Sequence, residues 1–120
     1  MMEESLLLAG LAAPHHQDRT KSLEDLRAGV RRASGQLRFR AQEKLYGLLS
    51  NLLKDANWNV RRETIDLLGD LVPPPDAQRH VAQALGPLVA NCGDNKIAIR
   101  RATATTLEVS AAFLYFFLFF

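Results

Sequence analysis

The chain has a single cysteine, Cys92, so no disulfide can close within it, and without a CxxC pair or a Cys/His cluster it carries no zinc site of ordinary spacing. A reducing intracellular setting is expected. Histidine is almost as scarce. His15 and His16 are adjacent and cannot share a helix face, and His80 stands apart with no ligand-spaced carboxylate near it. There is no glycine-rich phosphate loop, no G-x-S-x-G elbow and no Cys/His nucleophile pairing, so the usual marks of an enzyme are missing and no cofactor or metal is implied. Strand-like alternation of apolar and polar residues is also lacking throughout. The net charge of +2 is too small to imply nucleic acid. Residues 18–40 nevertheless hold seven Lys/Arg against three Asp/Glu, a local excess of +4, which suits either an acidic partner or a solvated helix face.

Long hydrophobic runs are missing as well. The opening "MMEESLLLAGLAAPHH" has a short apolar stretch, but Glu3 and Glu4 precede it where a secretory signal would carry positive charge. Residues 1–20 are therefore expected to form a disordered or weakly helical leader. The closing "VSAAFLYFFLFF" is apolar for about a dozen residues, against roughly 20 needed to cross a bilayer, so no membrane span is expected. Six aromatics in the last eight residues leave no polar face for an ordinary helix. Residues 113–120 read as a tail set apart from the rest, an unnatural end to a longer protein such as an alternative transcript or a truncation would give.

What the chain does have is an apolar stripe that repeats. Ala41, Leu45, Leu48, Leu49, Leu52 and Leu53 fall on one helix face, and the same spacing returns at Val60, Thr64, Leu67, Leu68, Leu71 and Val72. It returns again at Ala77, Val81, Ala84, Leu85, Leu88 and Val89, and more weakly at Ile99, Thr103, Thr106, Leu107, Ser110 and Ala111. A further helix is expected over 22–34, with Leu23, Leu26 and Val30 on one side. Residues 55–57, the "PPP" at 73–75 and the "GDN" at 93–95 supply the breaks. Pro87 should bend the third stripe's helix or restart it, because its ring clashes with the preceding turn. Cys92, on that stripe, reads as a small core residue.

Laid over itself, the second half matches the first at an offset of 39. Asp55 falls on Asp94, Val60 on Ile99, Arg61 on Arg100, Arg62 on Arg101 and Leu68 on Leu107. Asp25, Val30 and Arg31 show the same spacing and read as the remnant of an earlier repeat. Short connections between helices imply antiparallel neighbours, so the expected fold is all-α, an α-solenoid of antiparallel helix pairs with about two to two and a half repeats over 21–112. "DANWNVRR" and "DNKIAIRR", with Pro87 in the first helix of the second pair, resemble HEAT repeats, whose second helix opens with D-x-x-x-x-V-R. The resemblance implies that Asp55, Arg61, Asp94 and Arg100 hydrogen-bond between neighbouring repeats as a structural ladder.

A narrower resemblance is to TOG domains, HEAT arrays that bind tubulin through their intra-repeat turns. "WNVR" at 58–61 looks like the first such turn and "GDNKIAIRR" at 93–101 like a later one. The type suggested is that of the TOG-array regulators of axonemal microtubules, the crescerins, with the CLASP-type proteins close by. It implies Trp58 as an aromatic contact, with Asn57, Asn59 and Arg62 beside it, and Asn95, Lys96 and Arg101 as amide and cationic contacts to acidic tubulin in a cytoplasmic, cytoskeletal setting. From the residues alone, Trp58 could equally pack inward under the loop. Two other readings stand beside it: a general scaffold that binds a partner along a helix face, with Glu63 and Thr105 as contacts, or a fragment with no function of its own. Two good repeats leave apolar outer faces, so marginal stability and self-association are expected.

Overall fold

The structure, a computed structural model, describes residues 3–110. Its helices are α1 (Glu4–Leu11), α2 (His16–Arg32), α3 (Gln42–Leu52), α4 (Trp58–Asp70), α5 (Gln78–Ala90) and α6 (Ile97–Val109), with short 3-10 turns at Pro75–Ala77 and Asn91–Gly93. No strand occurs among the described residues. The helices form two layers: α1 packs on α3 and α3 on α5, while α2 packs on α4 and α4 on α6. The fold is an all-α solenoid of helix pairs, the first with a short leading helix.

The stripes become the core between the layers. Leu45, Leu49 and Leu53 from one pair, and Val60, Leu67 and Leu68 from its second helix, are buried with Val81, Ala84 and Leu88 of the next pair. Asn57 starts α4: its side-chain oxygen accepts from the backbone N–H of Asn59 (2.9 Å) and Val60 (3.2 Å), giving an acceptor to two donors that the first turn leaves without partners. Gly35 closes α2 at φ 83°, where its N–H reaches the Val30 carbonyl and its own carbonyl accepts from Val72. A Cβ there would lie 2.6 Å from the Asp70 carbonyl oxygen, so the connection after α2 can lie against the end of α4 only without a side chain.

Several expectations are corrected. Of the two forms expected for the leader, the helical one is present: residues 4–11 form α1, with Leu7, Leu8 and Leu11 buried against the core, and α2 begins at His16, inside the span assigned to the leader. The short apolar run shows little amphipathic pattern, yet it covers the front of α2 and α3 through these leucines while Leu6 stays exposed. Helix α4 ends at Asp70, so Val72 leaves the stripe and is exposed. Helix α5 does not restart at Pro87 but runs through it, and the Pro87 carbonyl accepts from the Asn91 side chain (2.9 Å). Cys92 and Val89, expected in the core, are exposed. Ala111, Ala112 and the aromatic tail at 113–120 lie outside the described residues.

Candidate interaction surfaces

Of the ladder implied by the D-x-x-x-x-V-R motif, Asp55, Arg61 and Asp94 bond across neighbouring pairs, while Arg100, among the described residues, bonds only within its own turn; the geometry explains the spacing. Each Asp sits just before a helix, and its carboxylate accepts from the backbone N–H two residues on: Asp55 from Asn57 (2.9 Å) and Asp94 from Lys96 (2.8 Å). The Arg six residues later folds back so that Nη1 donates to the Asp carbonyl, Arg61 to Asp55 (2.7 Å) and Arg100 to Asp94 (2.8 Å). This leaves Nη2 pointing to the next pair, where that of Arg61 meets the Asp94 carboxylate at 2.8 Å. The backbone N–H of Lys96, with the charge and hydrogen bond of Arg61 behind it, holds the Asp94 carboxyl below the usual carboxylate range against the pull of desolvation.

The rung before this one was not legible. Asp25, Val30 and Arg31 are not an earlier copy: Asp25 pairs with Lys21 (2.8 Å) and Arg31 with Asp70 (3.1 Å). The true counterpart of Arg61 is Arg19. It donates from Nη1 to the carbonyls of Ala13 and Pro14 and reaches Asp55 with Nε (2.8 Å) and Nη2 (3.2 Å). The helices α2, α4 and α6 open at His16, Trp58 and Ile97, spacings of 42 and then 39, and the ladder's Asp position in the first pair is Ala13. With the carboxylate missing and the period longer, no sequence signal marked it. The basic excess over 18–40 is largely spent internally: Arg19 binds Asp55, and Arg27 and Arg31 bind Asp70.

The seven residues singled out as contacts fall into two groups. At the turn edge, Trp58 is 43% exposed and the ammonium of Lys96 lies 5.0 Å from its ring centroid, so residues 38 apart in sequence meet across neighbouring turns. Asn59, Asn95 and Lys96 are exposed there, whereas the Asn57 side chain is committed to capping α4. Arg62 and Arg101 belong elsewhere. They line an open groove of about 470 Å³ over α2, α4 and α6, together with Arg27, Asp66, Asp70 and Thr105.

The groove's charges are mostly matched. Arg27 bridges Asp70 (2.8 Å) and Asp66 (3.6 Å), and Arg62 pairs with Asp66 at 3.2 Å. Burial weakens the Arg27 guanidinium's hold on its proton, but Asp70, Asp66 and Glu63 outweigh it and the group is held above its ordinary value. Burial pushes the Glu63 carboxyl up, with Asp66 and Glu24 adding to the effect and Arg27 and Arg62 opposing it. Arg101 is exposed and, among the described residues, pairs with no carboxylate. Beside it lie Thr105 and Val109, the latter 60% exposed. The groove thus offers an uncommitted cation, a hydroxyl and an apolar patch. Among the described residues, no helix is long and apolar enough to cross a membrane.

The family description "HEAT repeat" matches residues 45–73, which run from within α3 through the turn and α4. Neither the curated proteins nor the solved structures compared with the chain gave a match. Stacked helix pairs make this chain an all-α solenoid, and the segment at their centre, residues 45–73, is similar to the HEAT repeat.

Proposed function

We propose that the chain is a non-catalytic protein-binding scaffold whose contact surface is the groove over α2, α4 and α6. The observation that carries this reading is the placement of Arg101, which among the described residues pairs with no carboxylate, beside Thr105 and Val109 in a groove whose other charges are already matched. A partner segment with an acidic side chain next to an apolar one complements that surface. HEAT repeats in general mediate protein interactions, which agrees with the match over 45–73. Peptides selected from a random library against the full chain test it. They should share an acidic and an apolar position and lose binding with Arg101→Glu or Thr105→Arg at unchanged helicity. Selected peptides indifferent to both changes would refute the groove.

The cation–π contact between Lys96 and Trp58 favours a second reading, in which the turn edge binds an acidic partner of the tubulin kind. Trp58→Ala with Lys96→Ala should then abolish co-sedimentation with microtubules while leaving the groove peptides bound. A full chain that fails to co-sediment at all ends this second reading.

A further inference from the structure

The last helix pair presents a face that the middle pair shows how to cover. Advancing 39 residues from the middle pair, Tyr46 maps to Leu85, Ser50 to Val89 and Leu53 to Cys92 on the leading helices. On the second helices, Leu68 maps to Leu107 and Arg61 to Arg100. In the middle pair Tyr46, Ser50, Leu53 and Leu68 are all buried. In the last pair Leu85 and Leu107 are half-buried, while Cys92 and Val89 are exposed, Val89 to 48%. The following pair packs on the middle one, α5 on α3 and α6 on α4, and brings three polar hooks: Asn91 donates to the Leu53 carbonyl (3.0 Å), Thr106 to that of Ile65 (3.0 Å) and Ser110 to that of Leu68 (2.9 Å). Arg100 keeps the folded-back geometry of Arg61 and Arg19, with Nη1 on Asp94 and Asn95 carbonyls, but among the described residues no carboxylate meets it.

We propose that this face of α5 and α6 docks a helical hairpin of another protein that carries an acidic residue in its turn. That residue would meet Arg100 as Asp55 meets Arg19 and Asp94 meets Arg61. Charge selects this occupant over the alternatives. A second copy stacked head to tail would offer Ala13 where the acid is needed, and its α2 carries Asp18, Ser22 and Asp25 at positions where α4 has Val60, Thr64 and Leu67. Two copies meeting tail to tail would set Arg100 against Arg100. Residues 111–120 contain no Asp or Glu side chain.

The test uses the full chain and, as probe, a fluorescent synthetic peptide of its own residues 73–110, a hairpin with Asp94 in the turn. Binding should be saturable, and Asp94→Asn in the peptide or Arg100→Ala in the chain should each weaken it about tenfold, the loss of one charge-assisted pair. The two changes together should weaken it no further. Sensitivity to Arg61→Ala instead of Arg100→Ala would mean that the peptide had displaced α5 and α6, and would overturn the proposal. So would binding indifferent to both charges, or a chain that dimerises through the face more tightly than it binds the peptide. For a peptide that stays unbound because it does not fold alone, a chain in which a second copy of residues 72–110 follows Ser110 decides. Its melting midpoint should rise and Arg100→Ala should remove part of the gain; an unchanged midpoint overturns the proposal.

Discussion

The α3–α4 pair and the α5–α6 pair were written to one pattern, yet a residue in the first is core where its counterpart in the second is surface. Leu53 is sealed and Cys92 is open; the Arg61 guanidinium is locked on Asp94 and that of Arg100 has no carboxylate among the described residues. The difference lies outside either sequence. In a stacked array each pair contacts only its neighbours, so half of a repeat's core is made by the pair that follows it. A position's apolarity records where it can be buried, while its neighbour decides whether it is.

Matched substitutions in the two pairs put this comparison at risk. The largest contrast should come from Leu68→Ala against Leu107→Ala. The first empties a fully buried site and should cost about 2–5 kcal/mol by urea denaturation; the second, half-buried, should cost less than about 1.5 kcal/mol. Equal losses would mean that both sites are covered alike. Next, Arg61→Ala should cost about 1–3 kcal/mol, since it breaks a charge-assisted bond between pairs, whereas Arg100→Ala should stay within about 0.5 kcal/mol. At the helix starts, Asn57→Ala should cost about 1 kcal/mol through the lost cap, while Lys96→Ala, at a position with no side-chain cap, should be nearly silent in a thermal melt.

Acid titration sharpens the same contrast. The Asp94 carboxyl is held below its ordinary value in the folded chain, so its stabilisation is complete above the unfolded carboxylate range and fades as pH falls through the folded one. Asp94→Asn should flatten that part of the stability–pH curve. Glu63 has the opposite sign: its carboxyl is pushed up, so ionisation opposes folding above the folded value and the penalty vanishes below the unfolded one. Glu63→Gln should therefore raise the neutral-pH melting midpoint slightly and have no effect in acid. This is the smallest of the expected changes.

The helical stripes, the breaks and the 39-residue register could be read directly from the chain, because helix periodicity and turn chemistry are local. So could the Asp–Arg pairs of the two motif turns, Asp55 with Arg61 and Asp94 with Arg100, which lie six apart within one turn. Arg19 could not, since its partner Asp55 is 36 residues away and Ala13 stands where a carboxylate would have marked the repeat. The packing of the leader could not be read for a similar reason. Eight residues are too few for a stable isolated helix, and only the uncovered front of α2 and α3 gives Leu7, Leu8 and Leu11 somewhere to pack. Of the candidate contacts, the turn residues were placed on one edge by the register alone, but Arg62 and Arg101 turned out to lie in the groove.

The sequence by itself determined the class of fold, the 39-residue period of its last two pairs and the Asp–Arg turns that open α4 and α6, because all of these follow from spacing along a helix. Only the tertiary structure decided which apolar positions are core, that Trp58 lies open beneath Lys96, and that Arg19 opens the ladder while Arg100 ends the described part of it. Burial and ion pairing depend on what is stacked against a helix, and no window along the chain contains its neighbour.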